Sequence, residues 1–178
     1  MIYLVGGAPR AGKSILGQQV AARLRIGWIA TDVLRSLLND EVAAGWDASP
    51  EAISATAEWF LPHLQRFVWG ISSLADDYLI EGVHFLPKHA AAISSRYQVR
   101  AVFLGRSSSS MAQFDEFPGR SRGYASLPVE FKQQIVQDVP RWSEFVAREA
   151  RAFGYRYVDT SDDFASRVGE AERFLAAS

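Results

Sequence analysis

Apolar residues along this chain fall into short runs separated by stretches of helical period. Ile2 to Val5 is an apolar run stopped by Gly6 and Gly7, and from Lys13 the apolar positions Leu16, Val20 and Leu24 recur at helical spacing. The reading is strand, loop, helix. Gly27 to Ala30 makes a second short strand, and Asp32 then opens a segment that puts Val33, Leu34, Leu37 and Leu38 on one helical face. Ser49-Pro50-Glu51 has the character of a helix start, and an Ala-rich, aromatic stretch follows it to Leu74. Pro62 interrupts that stretch and cannot donate an internal hydrogen bond, so two helices separated near Leu61 are expected.

Tyr78 to Val83 and Val99 to Leu104 are nearly continuous apolar runs, the pattern of strands buried on both faces, with a helix from Pro87 to about Arg96 between them. Arg106 to Leu127 is rich in Ser, Gly and Arg with weak periodicity and reads as a loop, the candidate mobile segment. From Pro128 onward Phe131, Ile135, Val139, Trp142, Val146 and Phe153 stand at helical intervals, predicting a long amphipathic helix bent at Pro140. Tyr155 to Thr160 is a last strand before a terminal helix. Strands alternating with helices in this way predict an α/β fold, a three-layer doubly wound sandwich around a five-stranded parallel sheet. Such sheets bind ligands beyond the carboxyl ends of their strands.

The length, 178 residues with 48% hydrophobic residues, fits a single domain spanning 1–178, without internal repeat, linker or low-complexity tract. Lys and Arg number 19 against 20 Asp and Glu, so no global positive field exists to hold a polyanion. Neither a nucleic-acid nor a membrane partner is expected, and the oligomeric state is left open. The absence of cysteine excludes disulfides, thiolate metal sites and a cysteine nucleophile. Met1 to Gly7 lacks the basic and long apolar regions of a signal peptide, and no apolar run reaches spanning length, so a soluble, cytoplasmic protein is expected.

Gly7-Ala8-Pro9-Arg10-Ala11-Gly12-Lys13-Ser14 matches G-x-x-x-x-G-K-[ST] without departure, between a first strand and a helix as its mechanism requires. Glycines let the backbone aim successive N–H groups at phosphates, and the following helix adds the positive end of its dipole. This run, with Ile15 after it, is the candidate nucleotide contact. Lys13 would reach the β- and γ-phosphates of ATP, and the Ser14 hydroxyl would ligate Mg²⁺. No Asn-Lys pair exists to read guanine, which argues against a GTPase.

Further candidates cluster at strand ends. Asp32 follows the second strand and is either a general base for an acceptor hydroxyl or a plain helix N-cap. Arg35, one turn on, binds an anionic acceptor group or is solvated. Glu81, in the third strand, would hold a Mg²⁺-bound water or orient the acceptor, and His84 stands at the edge of the same site. Asp159, Thr160 and Ser161 follow the last strand, where Thr160, Ser161 and Asp162 are all good N-cap residues for the terminal helix. Trp46, Trp59, Phe60, Phe67 and Trp69 form an acceptor pocket or belong to the core.

These residues resemble the small P-loop kinases of the nucleoside, shikimate and gluconate kinase type, most closely the 2-phosphoglycerate kinase-like branch and its chloramphenicol phosphotransferase-like relatives. The resemblance rests on Gly7 to Ser14, Ala30 to Arg35, Ile80 to His84, the arginines Arg120 and Arg122, and Val158 to Ser161, and covers most of the chain in element order. It implies that Asp32 contacts the acceptor, that a short lid over about 106–127 closes Arg120 and Arg122 over ATP, and that Asp159 to Ser161 meet the adenine base. Helices over about 32–76 would form the acceptor side. The chain departs from these relatives in its serine-rich lid, Ser107 to Ser110, and its aromatic 50–75 segment. The expected activity is ATP- and Mg²⁺-dependent transfer of the γ-phosphoryl group to a hydroxyl of a small, anionic metabolite. The alternatives are an antibiotic-modifying phosphotransferase and a nucleotide-binding regulatory module with little turnover.

Overall fold

A computed structural model describes residues 1–38, 49–116, 124 and 126–177. Strands β1 (Ile2–Gly7), β2 (Gly27–Ala30), β3 (Tyr78–Glu81), β4 (Val99–Gly105) and β5 (Arg156–Asp159) form one sheet in the order β2-β3-β1-β4-β5, with all pairings parallel. The helices are α1 (Lys13–Leu24), α2 (Thr31–Ser36), α3 (Pro50–Ser73), α4 (Pro87–Ser94), α5 (Met111–Glu116), α6 (Val129–Ala152) and α7 (Phe164–Ala176). The expected α/β three-layer sandwich is what forms. Helix α1 packs with α7, while α6 packs with α3 and α4.

Strand position follows from composition. β1 is buried along its whole length at the centre of the sheet, as its unbroken apolar run requires, while β2 and β5 at the edges are only partly buried. The register sets Val5, Glu81 and Ala30 level with one another, so the residues that follow them emerge along one edge. β3 lies between β1 and β2. Glu81 is therefore the carboxylate next to the loop that follows β1, and Asp32 stands one strand further out.

Three expectations need correction. The stretch after Ser49 is one helix, α3, that runs through Pro62. Its buried face, Ile53, Ala57, Phe60, Leu64, Val68 and Ile71, is continuous across the proline. Burying one such large side chain contributes about 1.5–3 kcal/mol, so the face together outweighs the roughly 3 kcal/mol of an internal proline. Pro62 and Glu58 both lie on the exposed side, where water can take the carbonyl that the proline leaves unpaired.

The loop expected over 106–127 contains the short helix α5, started where the Ser110 hydroxyl accepts from Gln113 N at 3.3 Å and anchored by buried Phe114. Helix α2 ends at Ser36, and of the apolar face read there only Leu34 packs against the core, while Val33, Leu37 and Leu38 are exposed. Helix α6 spans its predicted length through Pro140, burying Ile135, Val139, Trp142 and Val146 but leaving Phe131 and Phe153 exposed. Among the described residues no helix is long and apolar enough to cross a membrane.

Candidate functional site

The segment between β1 and α1 is shaped by backbone that side chains resist. Gly7 has φ 121°, and a Cβ there would lie 1.9 Å from the Leu104 carbonyl oxygen, so only glycine fits. Ala8 N donates to that same oxygen at 2.9 Å, which fixes the loop to β4. Arg10 and Gly12 both adopt left-handed φ, 63° and 92°, folding the chain back before Lys13 starts α1. Gly12 caps α1 without a side-chain hydrogen bond, leaving the helix N-terminus open toward the loop's concave side. Thr160, fully buried, has Oγ1 3.1 Å from both the Ala11 and Gly105 carbonyl oxygens and ties the loop to the ends of β4 and β5.

Lys13 is buried at the start of α1, its Nζ donating to the Ala8 carbonyl at 2.6 Å. Burial pulls its pKa down to about 8, against the opposing pull of the Glu81 and Asp32 carboxylates. Glu81, only 4% exposed, accepts from the Ser14 hydroxyl at 2.9 Å. Burial pushes its carboxyl up, restrained by Lys13 and by the Ser14 hydrogen bond. A hydroxyl and a carboxylate oxygen side by side are the hard, oxygen-only donors that suit Mg²⁺, which takes the rest of its ligands from phosphate and water. The described residues hold no cluster of three or more His, Asp or Glu side chains fit for a metal, so this pair is the part of a Mg²⁺ site that the chain itself offers.

One strand further out, Thr31, Asp32 and His84 meet. His84 Nδ1 lies 3.0 Å from Thr31 Oγ1 and 3.5 Å from Asp32 Oδ1. The Asp32 carboxylate is 74% exposed, and the imidazole behind it is almost wholly buried. Burial lowers the His84 pKa to about 4, with Asp32 opposing and the Arg35 and Lys13 charges reinforcing. Asp32 is not an N-cap: the cap of α2 is Ala30, whose side chain makes no capping bond, and Asp32 sits inside the first turn.

The approach of β3 to β2 depends on Gly82, where an added Cβ would lie 1.7 Å from Thr31 Oγ1 and 2.8 Å from Thr31 Cβ. Gly82→Ala must displace Thr31 or the β3 backbone, and we expect about 1–3 kcal/mol of lost stability in urea denaturation. An unchanged midpoint would show that the two strand ends are free to move apart.

At the other end of the edge, Asp159 accepts from Ser107 N, from Ser161 N at 2.9 Å and from Ser161 Oγ at 2.6 Å. Burial raises its pKa, but the bonds from Ser107 and Ser161 win and hold the carboxyl below its ordinary range. The terminal helix is capped instead by Asp163, which accepts from Ser166 N at 3.4 Å, so Thr160, Ser161 and Asp162 do not serve as its cap. Two arginines converge nearby. The Arg10 guanidinium lies 4.2 Å from the Tyr124 ring centre and 5.0 Å from that of Phe114, and the Arg106 guanidinium lies 5.9 Å from the same Phe114 ring.

Arg106, Thr31 and Tyr124 were not singled out by sequence reasoning. Arg106 carried a usable signal, being the first residue past a strand on the edge where the other candidates lie. Arg120, Arg122 and Trp46 lie outside the described residues. Of the remaining aromatics, Phe60 and Phe67 belong to or pack on the core, while Trp59 and Trp69 are exposed, so they do not converge on one pocket.

No protein-family profile matches the chain, and no curated protein matches it in sequence. Solved structures do. A sugar kinase from Janibacter sp. is similar at TM-score 0.57 and 13% identity, covering 98% of this chain and 93% of its own. The shikimate kinase of Acinetobacter baumannii, solved with shikimate, gives 0.55 and 14%, covering 98% and 92%. The shikimate kinase of Bacteroides thetaiotaomicron gives 0.55 and 11%, covering 98% and 96%. This chain has the fold that these sugar and shikimate kinases share. Identities this low carry the fold and nothing of the substrate. Within this fold, the buried ionisable groups Lys13, Glu81 and His84 gather at the carboxyl ends of β1, β2 and β3, the place where open α/β sheets bind ligands.

Proposed function

We propose that this chain is an ATP-dependent kinase that phosphorylates a hydroxyl of a small, anionic molecule. One observation carries the reading: a buried lysine and a Ser14–Glu81 pair suited to Mg²⁺ stand at the open N-terminus of α1, with an exposed carboxylate, Asp32, on the neighbouring strand end. Bound ATP with Mg²⁺ supplies the γ-phosphoryl group. Gly7 to Ile15 would form the phosphate cradle, with the free N–H groups at the start of α1 as donors, since Pro9 has no N–H and that of Ala8 is held by the Leu104 carbonyl. Lys13 would place a positive charge where negative charge develops. Ser14 is the metal ligand, with Glu81 behind it.

Asp32 is the better candidate for general base. Glu81 is buried and engaged with Ser14, whereas Asp32 is open to an incoming hydroxyl and accepts its proton as the oxygen attacks phosphorus. Arg35, on the same short helix, supplies a cation for an anionic acceptor. Asp159, Thr160 and Ser161 shape the floor of the nucleotide site, and Arg120 and Arg122 complete the charge over ATP from a lid spanning about 106–127. The rest of the proposal is a single cytoplasmic domain over 1–178. Placement in the 2-phosphoglycerate kinase-like branch rests on Gly7 to Ser14, Ala30 to Arg35, Ile80 to His84, Arg120, Arg122 and Val158 to Ser161.

The test is ADP release by the purified protein with Mg²⁺ across hydroxyl compounds including glycerate phosphates, sugars, nucleosides and antibiotics. Lys13-dependent phosphorylation of one compound supports the kinase. ATP binding without stimulated turnover by any compound would favour a regulatory module instead.

Lys13 also makes nucleotide binding pH-dependent. Its folded pKa, near 8 without ligand, lies below the ordinary lysine value, so the free protein carries fewer protons there than the unfolded chain, and its stability from this group rises as pH climbs through 8. Bound phosphates restore the charged form. At pH 8.5 binding should take up a substantial fraction of a proton per site, and less at pH 7. Calorimetry in two buffers of different ionisation enthalpy reads this as a difference in apparent heat, and equal heats would contradict it.

A further inference from the structure

The Thr31–His84 contact is not needed to hold ATP, yet it is among the most enclosed polar contacts of the sheet edge. Thr31 is fully buried and His84 is 5% exposed. The imidazole is gripped on several sides: Thr31 and Asp32 from α2, the Phe60 ring of α3 with its centre 6.0 Å away, and the Lys13 and Arg35 charges. Its Nδ1 faces two oxygens at once, Thr31 Oγ1 at 3.0 Å and Asp32 Oδ1 at 3.5 Å. A hydroxyl can donate or accept, but a carboxylate only accepts. A bare nitrogen lone pair there would oppose the carboxylate, whereas a proton on Nδ1 serves both oxygens. Chemistry therefore selects the Nδ1–H tautomer.

We propose that His84 is a positioning residue that acts through Asp32: its Nδ1–H donates toward the Asp32 carboxylate while Thr31 and Phe60 fix the ring, and this sets the direction in which the base meets the acceptor. The functional half of this inference rests on the kinase reading of Asp32, while the hydrogen bond itself does not. Asp32 is mostly exposed and would otherwise sample several rotamers, so a buried donor beneath it limits that freedom. The imidazole need not touch the acceptor to matter.

Two measurements test it on the full chain. In long-range ¹H–¹⁵N spectra of uniformly ¹⁵N-labelled protein, His84 should show a protonated Nδ1 and a bare Nε2, and Asp32→Asn should shift the Nδ1 signal. A bare Nδ1, or no response to Asp32→Asn, overturns the proposal, and this arm needs no acceptor. In phosphorylation of the compound found by the hydroxyl panel, His84→Phe should lower kcat about tenfold to a hundredfold with the KM for ATP unchanged. His84→Asn, whose amide N–H can stand near the Nδ1 position, should restore most of the rate, whereas His84→Gln, which reaches toward Nε2, should not. Equal losses in all three, or a loss expressed in the KM for ATP, overturn it. If wild-type protein phosphorylates nothing, the kinase reading fails and the spectra still decide the contact.

Discussion

Lys13→Met should lower kcat/KM for ATP by about a thousandfold or more while leaving the melting temperature within a few degrees of wild type. On the proposed function the loss follows from removing the cation that would face the transferring group, and a thousandfold corresponds to about 4 kcal/mol of transition-state stabilisation. The near-neutral stability follows from two opposing terms. Bringing Lys13 from its ordinary pKa to about 8 means that the charged form loses about 3 kcal/mol on burial, a cost that methionine avoids. Methionine, however, abandons the Ala8 carbonyl in a buried loop, which costs about 1–3 kcal/mol. Steady-state kinetics with a thermal melt checks both halves. A collapsed melting temperature would mean that Lys13 holds the loop together and that the lost activity says nothing of charge.

Asp32→Asn should cut kcat by about a hundredfold to ten-thousandfold, the usual weight of a positioned general base, with nucleotide binding little changed. The substitution keeps the shape and removes the acceptor's proton sink. Because the side chain is largely exposed, stability should move by less than about 0.5 kcal/mol. Glu81→Gln makes the contrast: it touches the buried Ser14 contact and should raise the Mg²⁺ concentration needed for half-maximal rate. Single-turnover kinetics with Mg²⁺ titration separates the two roles. If Asp32→Asn retains full kcat and Glu81→Gln loses it, the assignments of base and metal-side carboxylate are reversed.

Legibility in the sequence varied with how local each feature is. The loop from Gly7 to Ser14 was readable because its conformation is written in consecutive residues: glycines where φ turns positive, and a lysine and a serine in the first turn of the helix. The central strands β1, β3 and β4 were readable because a buried parallel strand is a nearly continuous apolar run, and the partly buried edge strands β2 and β5 because short apolar stretches precede helix starts there. The helix through Pro62 was not, because the local rule that breaks it is overridden by a long face packed against distant elements. Helix α5 was likewise hidden, since its anchor, Phe114, gains its value from Arg10 and Tyr124 elsewhere in the chain.

The sequence by itself determined the class of fold, the glycine-bounded loop from Gly7 to Ser14 and the set of ionisable residues at strand ends, all consequences of short-range pattern. Tertiary structure alone decided which of those residues meet. It set β3 between β1 and β2, and so joined Ser14 to Glu81 across 67 positions and Thr31 to His84 across 53. It also left Asp32 open while burying Glu81 and His84, a difference of exposure that three residues of similar polarity do not encode. The physical reason is that strand order and register arise from packing the whole sheet against its helices, and a charge's neighbours and solvent, which fix its pKa and chemistry, exist only once that packing is complete.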